Sequence, residues 1–114
     1  MLGIPLTVVE MPQFLRQAED VWTEAERAEF VDFIARNPEA GDVIPDTSGV
    51  RKVRWRRQGM GKRGGARVIY FYHSPTTPLF LLMVYAKAVR EDLTAEAKKA
   101  VAEFAARIKR AARG

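Results

Sequence analysis

The chain has 114 residues, 47% apolar and 29% charged, enough for one domain over residues 1–114 and too few for two ordinary ones. Nineteen Lys and Arg against fourteen Asp and Glu leave a net charge of +5, a balance that suits an acidic partner such as nucleic acid. Cysteine is absent, which excludes disulfides, thiolate metal sites and cysteine nucleophiles, and the longest apolar run, eight residues at 79–86, falls far short of the roughly 20 that span a bilayer.

The apolar start lacks a basic leading region and runs straight into Glu10, so no cleaved signal is expected and the cytoplasm is the expected address. Residues 6–10 (LTVVE) are β-branched and bounded by Pro5 and Pro12, which predicts an edge strand. Residues 14–20 suit a short helix or turn. Thr23 followed by Glu26 forms a capping box, and Trp22, Phe30, Val31, Phe33 and Ile34 recur at helical spacing until Asn37-Pro38 breaks the pattern. Residues 39–49 carry the Gly, Pro and Asp of a connecting loop.

From Val50 the period becomes two, placing Arg51, Val53 and Trp55 on one side of an extended chain and Lys52, Arg54 and Arg56 on the other. Gly59, Gly61, Gly64 and Gly65 make the next turn, and residues 67–73 (RVIYFYH) read as the second strand of a basic hairpin. A turn at 74–78 leads to a buried strand at 79–87, and Thr94 caps a last helix with Ala97, Val101, Phe104, Ala105 and Ile108 on its apolar side. The order is β-α-α-β-β-β-α. This is an α+β fold, expected as a small antiparallel sheet with helices packed on one face and the other face open to an extended ligand.

Charge is distributed unevenly along this frame. Residues 1–50 hold 3 basic and 10 acidic side chains, residues 51–67 hold 8 basic and none acidic, and residues 68–114 hold 8 basic and 4 acidic. Eight like charges in so short a segment repel one another, and they suit a surface built for an anion. On a strand, Lys52, Arg54 and Arg56 present cations about 6.6–6.8 Å apart, a spacing usable by RNA phosphates, with Arg51, Arg57, Lys62 and Arg63 as further RNA-binding candidates. Trp55, Tyr70, Phe71, Tyr72 and Tyr85 lie on or beside the same strands and either stack on splayed bases or fill the core beneath the sheet.

Other chemistries fit poorly. Gly59-Met60-Gly61-Lys62 fails as a phosphate-binding P-loop because Arg stands at position 56 and Arg63 follows the lysine. His73, the sole histidine, has no second histidine with which to share a metal, and neither a Ser-His-Asp set nor a close carboxylate pair can be assembled in the basic region. No metal or other cofactor is expected.

The segments GVRKVRW at 49–55, GKRGGARVIY at 61–70, Tyr85-Ala86-Lys87 and Asp92-Leu93-Thr94, with NPEAGDVI at 37–44 upstream, closely resemble the HigB branch of RelE-like toxins. The resemblance runs from about Thr7 to Ile108. It implies a toxin of a type II toxin–antitoxin pair, a metal-free endoribonuclease that enters the A site of the 70S ribosome, cuts mRNA and so inhibits translation. The implied partner is an antitoxin, commonly with a helix-turn-helix domain, and DNA would be bound only through that complex; no membrane is involved. By the same resemblance, Lys52 and Arg54 match a basic pair on the second strand, Arg67 the arginine that opens the third, and Lys87 the basic position after the fourth.

Such cleavage uses the neighbouring 2′-hydroxyl as nucleophile and passes through a phosphorane of increased negative charge. Arg67 suits that charge because a guanidinium is planar, stays protonated and holds two oxygens at once. Lys52 or Lys87, crowded by other cations, is a candidate base, and Tyr85, on the same strand parity as Lys87, a candidate to orient substrate or donate a proton. Two alternatives remain on sequence grounds: a non-catalytic RNA- or ribosome-binding module, and a DNA-binding regulator that inserts a β-ribbon into the major groove.

Overall fold

The computed structural model describes residues 6–55, 65–87 and 92–113. Arg56, Arg57, Lys62, Arg63 and the turn glycines Gly59, Gly61 and Gly64 lie outside them. Five strands, β1 (Val8–Glu10), β2 (Asp42–Val43), β3 (Val50–Trp55), β4 (Ala66–Phe71) and β5 (Leu79–Ala86), form one sheet in the order β1-β5-β4-β3-β2. Three helices, α1 (Pro12–Val21), α2 (Glu24–Arg36) and α3 (Ala95–Arg113), complete the α+β architecture. Among the described residues no helix is long and apolar enough to cross a membrane.

Local chemistry sets the helix boundaries. Pro12 occupies the first turn of α1, where a missing N–H costs nothing. The capping box forms at α2: the Glu26 N–H donates to Thr23 Oγ1 at 3.1 Å and the Thr23 N–H to Glu26 Oε1 at 2.8 Å. Thr94 Oγ1 accepts the Ala97 N–H at 3.0 Å as α3 begins.

The sheet departs from the sequence expectation in three ways. It gains the two-residue strand β2, too short to leave a periodicity, which pairs Asp42 with Lys52 and Val43 with Arg51. It is mixed, because β1 runs parallel to β5 while the other pairs are antiparallel. And the helices cover both faces. Phe14, Ala18, Val21 and Trp22 of the α1 region join Phe30 and Ile34 of α2 over Val68, Tyr70, Leu79, Leu81 and Val84. Val101 and Ala105 of α3 pack on the opposite side over Val50, Ile69, Phe71, Leu82 and Met83.

Burial on both faces explains why residues 66–71 and 79–85 show no polar alternation: all six residues of β4 are buried, and so are six of the eight in β5. A bulge adjusts the parity. Ile69 pairs with Met83 and Tyr70 with Leu81, so Leu82 is an extra residue and both Leu82 and Met83 reach the α3 side.

The loop between α2 and β2 is pinned by the sheet. Tyr70 is wholly buried, its hydroxyl donating to the Pro38 carbonyl and accepting the Gly41 N–H, both at 2.8 Å. A Cβ at Gly41 would stand 2.8 Å from the Lys52 carbonyl oxygen, so this close approach requires glycine. At the β2–β3 turn, Asp46 and Ser48 take positive φ, and Thr47 Oγ1 donates to the Ile44 carbonyl at 2.6 Å and accepts the Val50 N–H at 3.1 Å.

Candidate functional site

Strand register assembles a cationic row on the α3 side of the sheet. Arg54 of β3 pairs with Arg67 of β4, and Arg67 pairs with Tyr85 of β5, so the three side chains leave the same face from adjacent strands. Directly opposed Cβ atoms lie about 4.5–5.5 Å apart, which puts two guanidinium stems and a phenol side by side. One step along the strands is the row Lys52, Ile69 and Met83. Lys87, just past β5, is exposed, and its backbone N–H donates to the Gly65 carbonyl at 3.2 Å, which sets it one step beyond Arg67 on the other side.

Arg67 is the unusual member. Only 5% exposed in a strand otherwise apolar or aromatic, it has Nη1 buried without a hydrogen-bond partner among the described residues. Burial of a guanidinium donor without an acceptor is costly, and an opposed arginine adds repulsion. An incoming anion with two acceptor oxygens removes both penalties. Arg54 is exposed and Tyr85 is buried, 8% exposed.

Lys52 is partnered. Its Nζ lies 3.1 Å from Asp92 Oδ1, in the turn that leads into α3. In the sequence Asp92 stands out only as part of the Asp92-Leu93-Thr94 segment; no local pattern foretells a contact across forty positions, which depends on α3 folding over the sheet.

Other candidates go elsewhere. Arg51 points to the opposite face, where Nη1 donates to the Gly41 carbonyl at 2.7 Å and anchors the loop rather than facing the row. Tyr70 is not available for base stacking, since it is fully buried; burial pushes its pKa above the ordinary tyrosine value, opposed by the Gly41 N–H and by Arg51. Trp55 packs on Phe33 and Phe30, with ring centroids 4.7 and 5.3 Å away, and Phe71 is core under α3. Tyr72 is half-buried against the α1–α2 core. His73 is exposed and stacks on Phe71 at 6.2 Å. Among the described residues no group of three or more His, Asp or Glu side chains is arranged to hold a metal ion.

Five strands in one sheet with three helices make an α+β fold shared with a solved toxin structure. The chain is similar to an arginine-to-alanine double mutant of E. coli toxin RelE in the free state, with a TM-score of 0.56 and 13% sequence identity over 77% of this chain and 90% of that one. Residues 24–113 match the family described as the RelE toxin of the RelE / RelB toxin–antitoxin system. The protein belongs to that family: it is a toxin of a toxin–antitoxin system, and an antitoxin is its partner.

Proposed function

We propose that the protein is a ribosome-dependent endoribonuclease of the HigB branch that cuts mRNA at the A site and thereby inhibits translation. The observation that carries this reading is the buried Arg67, with a guanidinium nitrogen unsatisfied among the described residues, set between the exposed Arg54 and the buried Tyr85 on one face. A toxin that buries a guanidinium nitrogen without a hydrogen-bond partner among its described residues is prepared for an anion whose charge rises during reaction. The GKRGGAR segment leading into β4 supports the HigB assignment.

In this mechanism the 2′-oxygen attacks phosphorus and loses its proton to a base, the bond from phosphorus to the 5′-oxygen breaks, and the leaving oxygen takes up a proton. The products are a 2′,3′-cyclic phosphate and a 5′-hydroxyl. Arg67 holds two equatorial oxygens of the phosphorane. Arg54 and Lys52 hold adjoining phosphates, and Tyr85 orients the reacting group. Lys87 is the better placed of the two candidate bases, because Lys52 meets Asp92 as an ammonium in an ion pair. Arg56, Arg57, Lys62 and Arg63 extend the RNA grip by their charge.

Ribosomal RNA would supply part of the substrate alignment, so translated mRNA is cut and the same RNA alone is cut poorly. The whole chain acts as one domain in the cytoplasm. Its antitoxin carries a helix-turn-helix domain, and DNA is engaged only through the complex. Expression without the antitoxin should arrest growth, a neighbouring small gene should rescue it, and Arg67→Ala should abolish it. Arrest that persists undiminished in Arg67→Ala contradicts the proposal.

A further inference from the structure

The ion pair between Lys52 and Asp92 joins the middle of β3 to the residues just before α3, at the edge of the cationic row. We propose that Asp92 is a positioning residue: its carboxylate fixes the Lys52 ammonium beside Arg54 and Arg67 and releases it to an RNA phosphate. This inference rests on the RNA-cleaving function proposed above.

Three features of the pair support it. Lys52 shares its face with Arg54 two residues on, and Arg54 is opposed by Arg67, so a lysine head free to choose its rotamer is driven away from the row by like charge. A lysine side chain also carries about 2 kcal/mol of rotamer entropy, and a fixed acceptor at 3.1 Å restricts it before substrate arrives. Finally, the pair is open on its acidic side: the Asp92 side chain is 77% exposed and the Lys52 side chain 34%. Exposed pairs are weak, so a phosphate carried by bound RNA can take the carboxylate's place without a large penalty. A strong, buried pair would lock Lys52 away; this one holds it in place and lets it go.

The consequence is a split in kinetic constants. Removing the Asp92 charge leaves phosphate attraction intact or slightly increased, because one anion near the substrate is lost, while Lys52 is no longer held where the adjoining phosphate must sit. Asp92→Asn is expected to lower kcat about fivefold, the upper end for an exposed pair, without raising KM for mRNA-programmed ribosomes. Asp92→Glu, which keeps the charge, is expected to recover at least half of the loss.

The test is a double-mutant cycle on the ribosome with Asp92→Asn, Lys52→Gln and the combined variant, each checked for an unchanged melting temperature. If Asp92 acts through Lys52, Asp92→Asn has no further effect on kcat once Lys52 is glutamine. Additive losses overturn the inference, as does an Asp92→Asn enzyme with unchanged kcat or with a raised KM. Arg67→Ala in the same assay separates the two levels: a wild-type protein that cuts no message, or an Arg67→Ala protein as active as wild type, rejects the underlying function itself.

Discussion

Arg67→Met should make the protein more stable while it disarms it. In the native chain Arg67 is 5% exposed, its Nη1 lacks a partner among the described residues, and Arg54 faces it across the strand pair. An unsatisfied buried donor costs about 1–3 kcal/mol, and directly opposed like charges add roughly 0.2–1 kcal/mol. Methionine keeps the unbranched stem against the neighbouring strands and discards the charge, so most of its packing survives. The expected gain is about 2 kcal/mol, which for a domain of this length raises Tm by roughly 6–12 °C. Arg67→Lys serves as the control, since it retains a buried cation and should show no comparable gain. Thermal unfolding followed by circular dichroism, with urea denaturation at unchanged m-value, measures the difference. An Arg67→Met protein that melts at or below the wild-type temperature refutes the claim that this position trades stability for anion binding.

The loop lock gives further tests. Tyr70→Phe removes the hydroxyl that serves both the Gly41 N–H and the Pro38 carbonyl and should cost about 2–3 kcal/mol in urea denaturation; a loss below the usual scatter of such measurements contradicts the lock. Because burial raises the Tyr70 pKa, the unfolded chain ionises there first. Its contribution to stability is therefore complete below the ordinary tyrosine pKa near 10 and declines as pH rises through that value towards the higher folded one. A denaturation series in this range should show the decline in wild type and a shallower one in Tyr70→Phe; equal slopes would refute the linkage. Gly41→Ala, whose added methyl meets the Lys52 carbonyl at 2.8 Å, should lower Tm by several degrees, roughly the effect of 1–3 kcal/mol of overpacking. An unchanged melting curve would show that β3 yields without strain.

The parts legible in the sequence were those encoded locally. Thr23 with Glu26 marked the start of α2, Thr94 the start of α3, and the alternation at 50–55 the strand that carries Lys52 and Arg54. The opposed position of Arg67 was not so encoded. It depends on the register of β3 against β4, which burial on both faces of the sheet sets. The placement of α3 was misjudged for a related reason: an uninterrupted apolar strand such as LFLLMVYA marks burial on two sides, yet the expected open face allowed it only one. Asp92 was missed as a member of the site because its link to Lys52 is tertiary. Tyr70 has the composition of a base-stacking tyrosine, and only its position between two backbone groups reveals a structural task.

The most direct test of the central claim is the chemistry of the ends formed when purified protein meets ribosomes translating a defined mRNA. New 5′-hydroxyl and 2′,3′-cyclic phosphate termini are expected at the A-site codon, with the rate reduced about 100-fold or more in Arg67→Lys, the loss typical of one preorganised charge-stabilising donor. Intact message, 5′-phosphate ends, or full activity in Arg67→Lys would contradict it.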